Sequence, residues 1–195
     1  YNFHAASSQA VTANYDLGKA LGCNETGGSA RDDNTYRVQA WELMLSGGAL
    51  FSQLDFSFGT AHPRGTLKSH KSPGGGSPEL RGQLSSLKSF MESFDFVRMK
   101  PDNAVLKEGV PLNARALVLA EHGKQYAIYI SGGKQITPVL TLPPGRYLAE
   151  WIDTLTGQVA KEEVIPNPRA NVTIRSPEYT RDIALRIRSV NLLND

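Results

Sequence analysis

The apolar residues of this chain change period near the middle, and that change constrains the fold more than any single motif. As far as Lys100, apolar positions switch between the period of 2 that suits strands and the period of 3.6 that suits helices. From Asp102 onward they fall in short strand-like runs parted by turn residues. Met99-Lys100-Pro101-Asp102 reads as the junction. The chain is therefore expected to combine an α/β half, residues 1–100, with an all-β half, residues 101–195.

In the first half, Tyr1–Ala6 is a short aromatic-rich strand, and Ser7 and Ser8 can cap a brief helix. Ala20–Asn24 is a small apolar strand running into Glu25, followed by the loop TGGSARDDN. Asp32, Asp33 or Asn34 offers an N-cap for a helix over Tyr36–Leu45, with Val38, Ala40, Trp41, Met44 and Leu45 at helical spacing and Gly47-Gly48 as the stop. Ala49–Phe58 reads as the next strand, carrying Leu50, Leu54, Phe56 and Phe58 at even positions. A long polar segment, Gly59–Ser77, leads to Ser77-Pro78-Glu79, a serine cap followed by proline in the first turn. Leu80, Leu84, Leu87, Met91 and Phe94 then form one apolar stripe. Strand alternating with helix predicts a parallel sheet, which must be covered on both faces. A complete eightfold β/α barrel takes about 250 residues, so the 195 present are expected to hold only part of one.

The second half predicts about seven strands: Ala114–Ala120, Gln125–Ser131, Gln135–Leu142, Arg146–Asp153, Gln158–Ile165, Asn171–Arg175 and Asp182–Arg188. Turns such as EHGK, PPG and TLTG separate them. Short strands at this spacing predict an antiparallel β-sandwich.

Several function classes are excluded by composition. A net charge of +2 argues against a nucleic-acid surface. No apolar run reaches the roughly 18 residues of a membrane-spanning helix. The lone Cys23 excludes a disulfide framework and a multi-cysteine metal site. His4, His62, His70 and His122 are scattered without metal spacing, so no metal is expected, and the sequence shows no cofactor requirement. Tyr1 is followed by no basic-then-apolar leader, which leads us to expect a signal peptide that is absent or removed.

Glu25 is the foremost candidate for chemistry. It follows an apolar strand and precedes Thr26-Gly27-Gly28, which sets it at a strand's C-terminal end beside a loop, the edge on which β/α barrels carry catalysis. Its plain alternative is a surface glutamate. Gly74-Gly75-Gly76-Ser77 lacks the Lys-Ser/Thr ending of a phosphate loop and reads as a flexible lid before a capped helix. Trp41 is read as core, and Trp151 as an aromatic buried between sheets. Asn24-Glu25-Thr26 and Asn171-Val172-Thr173 fit the glycosylation pattern.

The blocks YNFHAAS, GCNETGG, YRVQAWELMLSGGALFSQLDFSF, PGGGSPELRGQL and LKSFMESFDFVRMKPD, taken in order, resemble the last quarter of a bacterial retaining glycoside hydrolase of the cellulase-like and apiosidase-like kind. YAIYISGG, LPPGRYLAEWIDTLTG and ALRIR resemble the small β-sandwich, of the collagen-binding type, fused behind such barrels. The resemblance implies the end of a TIM-type (β/α)8 barrel, strands six to eight, followed by that module. It makes Glu25 the nucleophile at the end of the seventh strand and Ala49–Phe58 the eighth strand. His4, Asn24, Asp55, Phe56, Phe58 and His62 become the expected substrate contacts, with phenylalanines where relatives commonly stack a tryptophan on the sugar. The acid/base belongs to a fourth strand that these residues do not contain, so the implied partners are a carbohydrate substrate and the preceding barrel portion, on the same or a separate chain. A secreted or periplasmic location follows from the same relatives. A second reading is a carbohydrate- or matrix-binding module that uses Tyr126, Tyr129, Tyr147 and Trp151 as exposed platforms. A third is an inactive barrel relative.

Overall fold

An aspartate and a serine side chain set two of the helix starts of the first half, Asp32 before one helix and Ser77 before another. The structure is a computed structural model, and it describes residues 8–26, 32–67, 76–166 and 171–190. The expected strand Tyr1–Ala6 and residues 68–75 of the polar segment lie outside the described residues. The chain divides into two compact units, 1–88 and 89–195.

The first unit runs α1 (Ser8–Asn14), β1 (Gly22–Thr26), α2 (Asp33–Leu45), β2 (Leu50–Gln53) and into α3 (Pro78–Glu92). Of the three possible caps for α2, Asp32 serves: its carboxylate accepts from the Thr35 amide at 2.9 Å and the Thr35 hydroxyl at 2.7 Å. β1 and β2 pair in parallel, Gly22 opposite Leu50, Cys23 opposite Phe51 and Thr26 opposite Gln53, with an irregularity before Thr26. The strands run close: a Cβ on Gly22 would come within 2.8 Å of the Leu50 Cβ. Val11, Cys23 and Leu43 are buried together, so α1, β1 and α2 share one small core with Phe51 of β2. Burial pushes the Cys23 thiol pKa up. On another side of α2, Tyr36 is buried with Leu80 of α3. The buried face of α2 is therefore broader than the expected stripe and includes Tyr36, Arg37 and Leu43. Arg37 is tolerated there because Asn34 and Gln83 accept its guanidinium hydrogens.

Two boundaries differ from expectation. The first strand lies at Gly22–Thr26 rather than at Ala20–Asn24. The second covers Leu50–Gln53 only, not Ala49–Phe58. Asp55 ends it locally: one carboxylate oxygen accepts from both the Ser57 amide, at 2.9 Å, and the Ser57 hydroxyl, at 2.5 Å. Such side-chain bonding competes with a strand ladder. Phe56 and Phe58 mimic strand alternation, but Phe56 lies in a turn and Phe58 just after it.

The second unit holds two antiparallel sheets. Its strands are β3 (Lys100–Pro101), β4 (Leu106–Glu108), β5 (Arg115–Glu121), β6 (Gln125–Ser131), β7 (Val139–Thr141), β8 (Arg146–Ile152), β9 (Val159–Pro166), β10 (Asn171–Thr173) and β11 (Asp182–Ser189). Six form a sheet in the order β3-β5-β6-β11-β8-β9, and three form a second in the order β10-β7-β4. Register places Val118, Ile128, Leu185 and Trp151 in one row across four strands. These residues share a buried cluster with Leu140 of β7 and with Val172 of β10 packed against it. The Lys100–Pro101 part of the expected junction pairs with β5 as a strand. The expected strand Gln135–Leu142 shortens to Val139–Thr141. Pro138 has no amide hydrogen, and the Ile136 amide is taken by the Ser176 hydroxyl at 3.0 Å, so a regular ladder begins only after them.

Trp41 and Trp151 are both wholly buried. Tyr126, Tyr129 and Tyr147 are buried as fully as Trp151, each with 0% exposure, which corrects the expectation that these four present a stacking surface. Their hydroxyls are engaged inward: that of Tyr129 donates to Asp182 at 2.8 Å, and that of Tyr147 to the Pro143 carbonyl at 3.0 Å. Among the described residues no helix is long and apolar enough to cross a membrane.

Candidate active site

The parallel pair brings the C-terminal ends of β1 and β2 side by side. The Thr26 hydroxyl donates to the Ser52 carbonyl at 3.2 Å, and the Leu54 amide to the Thr26 carbonyl at 2.9 Å. Glu25 is the penultimate residue of β1 and is half-buried, with Asn24 exposed before it and Thr26 buried after it. At the same end, the chain leaving β2 carries Asp55, Phe56 and Phe58. His4 lies outside the described residues.

Asp55 is not a free carboxylate. Besides Ser57, it accepts from Arg81 Nη1 at 2.9 Å, an ion pair in which the Asp55 side chain is only 16% exposed. Burial alone would raise its pKa, but the bonds from Ser57 and Arg81 outweigh that and hold it below the ordinary aspartate value. The same Arg81 Nη1 also donates to the Ser57 hydroxyl at 3.0 Å. Arg81 Nη2 donates to the Gly65 carbonyl at 2.9 Å and to the Arg64 carbonyl at 3.4 Å. The guanidinium carbon stands 5.0 Å from the centre of the Phe58 ring.

The segment after Phe58 closes on itself. Gly59 and His62 exchange backbone hydrogen bonds, Gly65 donates to the His62 carbonyl, and Leu67 donates back to Ser57. The His62 ring lies 3.0 Å from the Thr66 hydroxyl. Gly65 has φ +67°, and a Cβ there would come within 2.8 Å of the Phe58 ring and 2.9 Å of Arg81. That position therefore suits glycine on two counts.

The structure thus joins Asp55 and Phe58 through Arg81 and Ser57, which the sequence reading did not single out. Arg81 lies one turn into the helix that Ser77 was expected to start, but its partner Asp55 is 26 positions away, and no local pattern encodes that pairing. Phe56 and Phe58 remain 40% and 49% exposed. Among the described residues no three side chains of metal-binding type gather.

No protein-family model matches the chain, and no curated protein does. Solved structures do. One, described as a glycoside hydrolase, is 16% identical, with a TM-score of 0.63 over 95% of this chain and 46% of its own. Another, a glycoside hydrolase family 5 structure from Bacteroides vulgatus, is 16% identical, with a TM-score of 0.57 over 83% of this chain and 37% of its own. The chain spans less than half the length of either, and it shares with them the fold of that portion.

Proposed function

We propose that the chain supplies the seventh and eighth strands of a retaining glycoside hydrolase barrel, as β1 and β2, with Glu25 as the nucleophile. The observation that carries this reading is the parallel β1–α2–β2 unit with Glu25 at its C-terminal edge. The likeness of fold to glycoside hydrolases supports it. The Glu25 carboxylate would attack the anomeric carbon as the glycosidic bond breaks, giving a covalent glycosyl-enzyme that water then releases. The acid/base must stand about 5–5.5 Å from the nucleophile and give its proton to the leaving oxygen. Asp55 is a poor candidate for that role, since Ser57 and Arg81 hold it ionised. The acid/base is therefore assigned to the preceding barrel portion, on the same or a separate chain. Asn24, Phe56, Phe58 and His62 would line the sugar site, with the segment Gly59–Leu67 over it, and the second unit would support the barrel as an accessory β-sandwich. Polysaccharide as substrate argues for work outside the cytoplasm.

The test is Glu25→Gln in the hydrolase assembled with the preceding barrel portion. Turnover of an aryl glycoside should fall by on the order of 10³-fold or more while circular dichroism is unchanged. Azide added to Glu25→Gly should restore leaving-group release as a glycosyl azide of inverted configuration. Wild-type turnover by Glu25→Gln would sink the assignment.

A further inference from the structure

The guanidinium of Arg81 meets four oxygen acceptors and one aromatic face at once. The acceptors are the Asp55 carboxylate, the Ser57 hydroxyl and the carbonyls of Arg64 and Gly65. All of them belong to the segment that leaves β2, whereas Arg81 belongs to α3. The Phe58 ring stacks on the same guanidinium and meets Gly65 at its Cζ edge, yet half its surface stays exposed. A side chain fixed on one face and one edge, and open on the remainder, is a prepared contact surface.

We propose that Arg81 is a positioning residue: by clasping Asp55, Ser57 and the Arg64–Gly65 carbonyls it fixes the Phe58 ring in the one orientation in which it contacts the C–H face of a sugar ring. The proposal rests on the reading that this edge binds carbohydrate. The cation sets the ring's rotamer before ligand arrives, so stacking costs less side-chain entropy. Lysine cannot replace it, because a single ammonium has neither the planar fork for four oxygens nor the flat face for the ring. Gly65 contributes by leaving room for both groups.

Two measurements, made on the hydrolase assembled with the preceding barrel portion, separate this proposal from the reading beneath it. The first needs no sugar. Three-bond couplings and ¹³C relaxation of labelled Phe58 should report one χ1 rotamer in wild type and rotamer averaging in Arg81→Lys. If Phe58 keeps a single rotamer in Arg81→Lys, Arg81 does not position it and the proposal fails. The second is calorimetric titration with cellotetraose and xylotetraose in a Glu25→Gln background. Arg81→Lys should weaken binding about two- to fivefold. In a Phe58→Ala background the same change should have no further effect, since its influence passes through the ring. Equal weakening in both backgrounds overturns the proposal, and so does an unchanged affinity in Arg81→Lys. Rotamer averaging with no binding of either saccharide by the parent overturns the carbohydrate reading of this edge and the proposed purpose of the clasp with it. Glu25 is tested separately, by turnover. A purely structural Arg81 would lower the melting temperature alike with and without Phe58 and leave saccharide affinity untouched.

Discussion

Glu150 lies in β8 directly opposite Arg186 of β11, with its side chain 8% exposed. It accepts from Arg186 Nε at 2.7 Å and Nη2 at 2.8 Å, and from Arg188 Nη2 at 3.1 Å. Hydrogen bonding from Arg186 pulls its carboxyl below the ordinary glutamate value, against the upward push of burial. A carboxyl whose pKa is lower folded than unfolded stabilises the fold fully above the unfolded value, about 4.3. That contribution is lost as pH falls through the lower folded value. Glu150→Gln should therefore cost about 3 kcal/mol at pH 7, because it leaves Arg186 with a neutral partner. Urea denaturation across a pH series should show the gap from wild type narrowing below about pH 4, and a gap constant down to pH 3 would remove the ion pair from the account. The sequence shows the alternation of Arg186 with its apolar neighbours, which assigns it to one face of a strand. It does not show that β8 and β11 are neighbours, because sheet order is set by packing across 36 positions. Trp151 is the contrary case: of its two readings, an aromatic buried between sheets and an exposed platform, the structure bears out the first, with the side chain wholly buried.

At the scale of elements, helix starts were legible and strand ends were not. The start of α3 is a local device: the Leu80 amide donates to the Ser77 hydroxyl at 2.9 Å, and that hydroxyl donates to Asp33 at 2.5 Å. Ser77→Ala should cost about 1 kcal/mol through loss of the cap, read as a lowered urea midpoint. Ser77→Asp is ordinarily a neutral exchange at a cap, but here it should fare no better, because it sets a second carboxylate against Asp33. Recovery of wild-type stability in Ser77→Asp would contradict that link between the two helix starts. β2 failed as a strand prediction after Gln53 because Asp55 bonds to its own neighbour Ser57 and then to Arg81 of a helix far along the chain. The apolar alternation through Phe58 continued past the point where hydrogen bonding had turned the backbone. The Glu25 position, by contrast, follows from a short apolar run and the glycines after it, and β1 carries it one residue from its end.

For the whole molecule, the two halves differ in how far each can cover its own surfaces. The second unit closes a core across two sheets from its own side chains. Residues 89–195 alone should fold with one cooperative thermal transition and dispersed amide resonances. Residues 1–88 alone should not, because among the described residues the parallel sheet has two strands and small separate cores, and a parallel sheet needs cover on both faces. A sharp transition from 1–88 would show that its small cores suffice. The change of period was legible because it is a property of every neighbouring pair of residues; the division after Lys88 was not, because it falls inside α3, where helical spacing runs on without a break. The flanks of the six-stranded sheet have their own consequence. One is β3, two residues long and ending in Pro101; the other is β9, which bears Lys161, Glu162, Glu163 and Pro166. A brief strand and a charged one offer a second chain no smooth ribbon to extend. The sheet can thus stay a single finite layer even at high protein concentration.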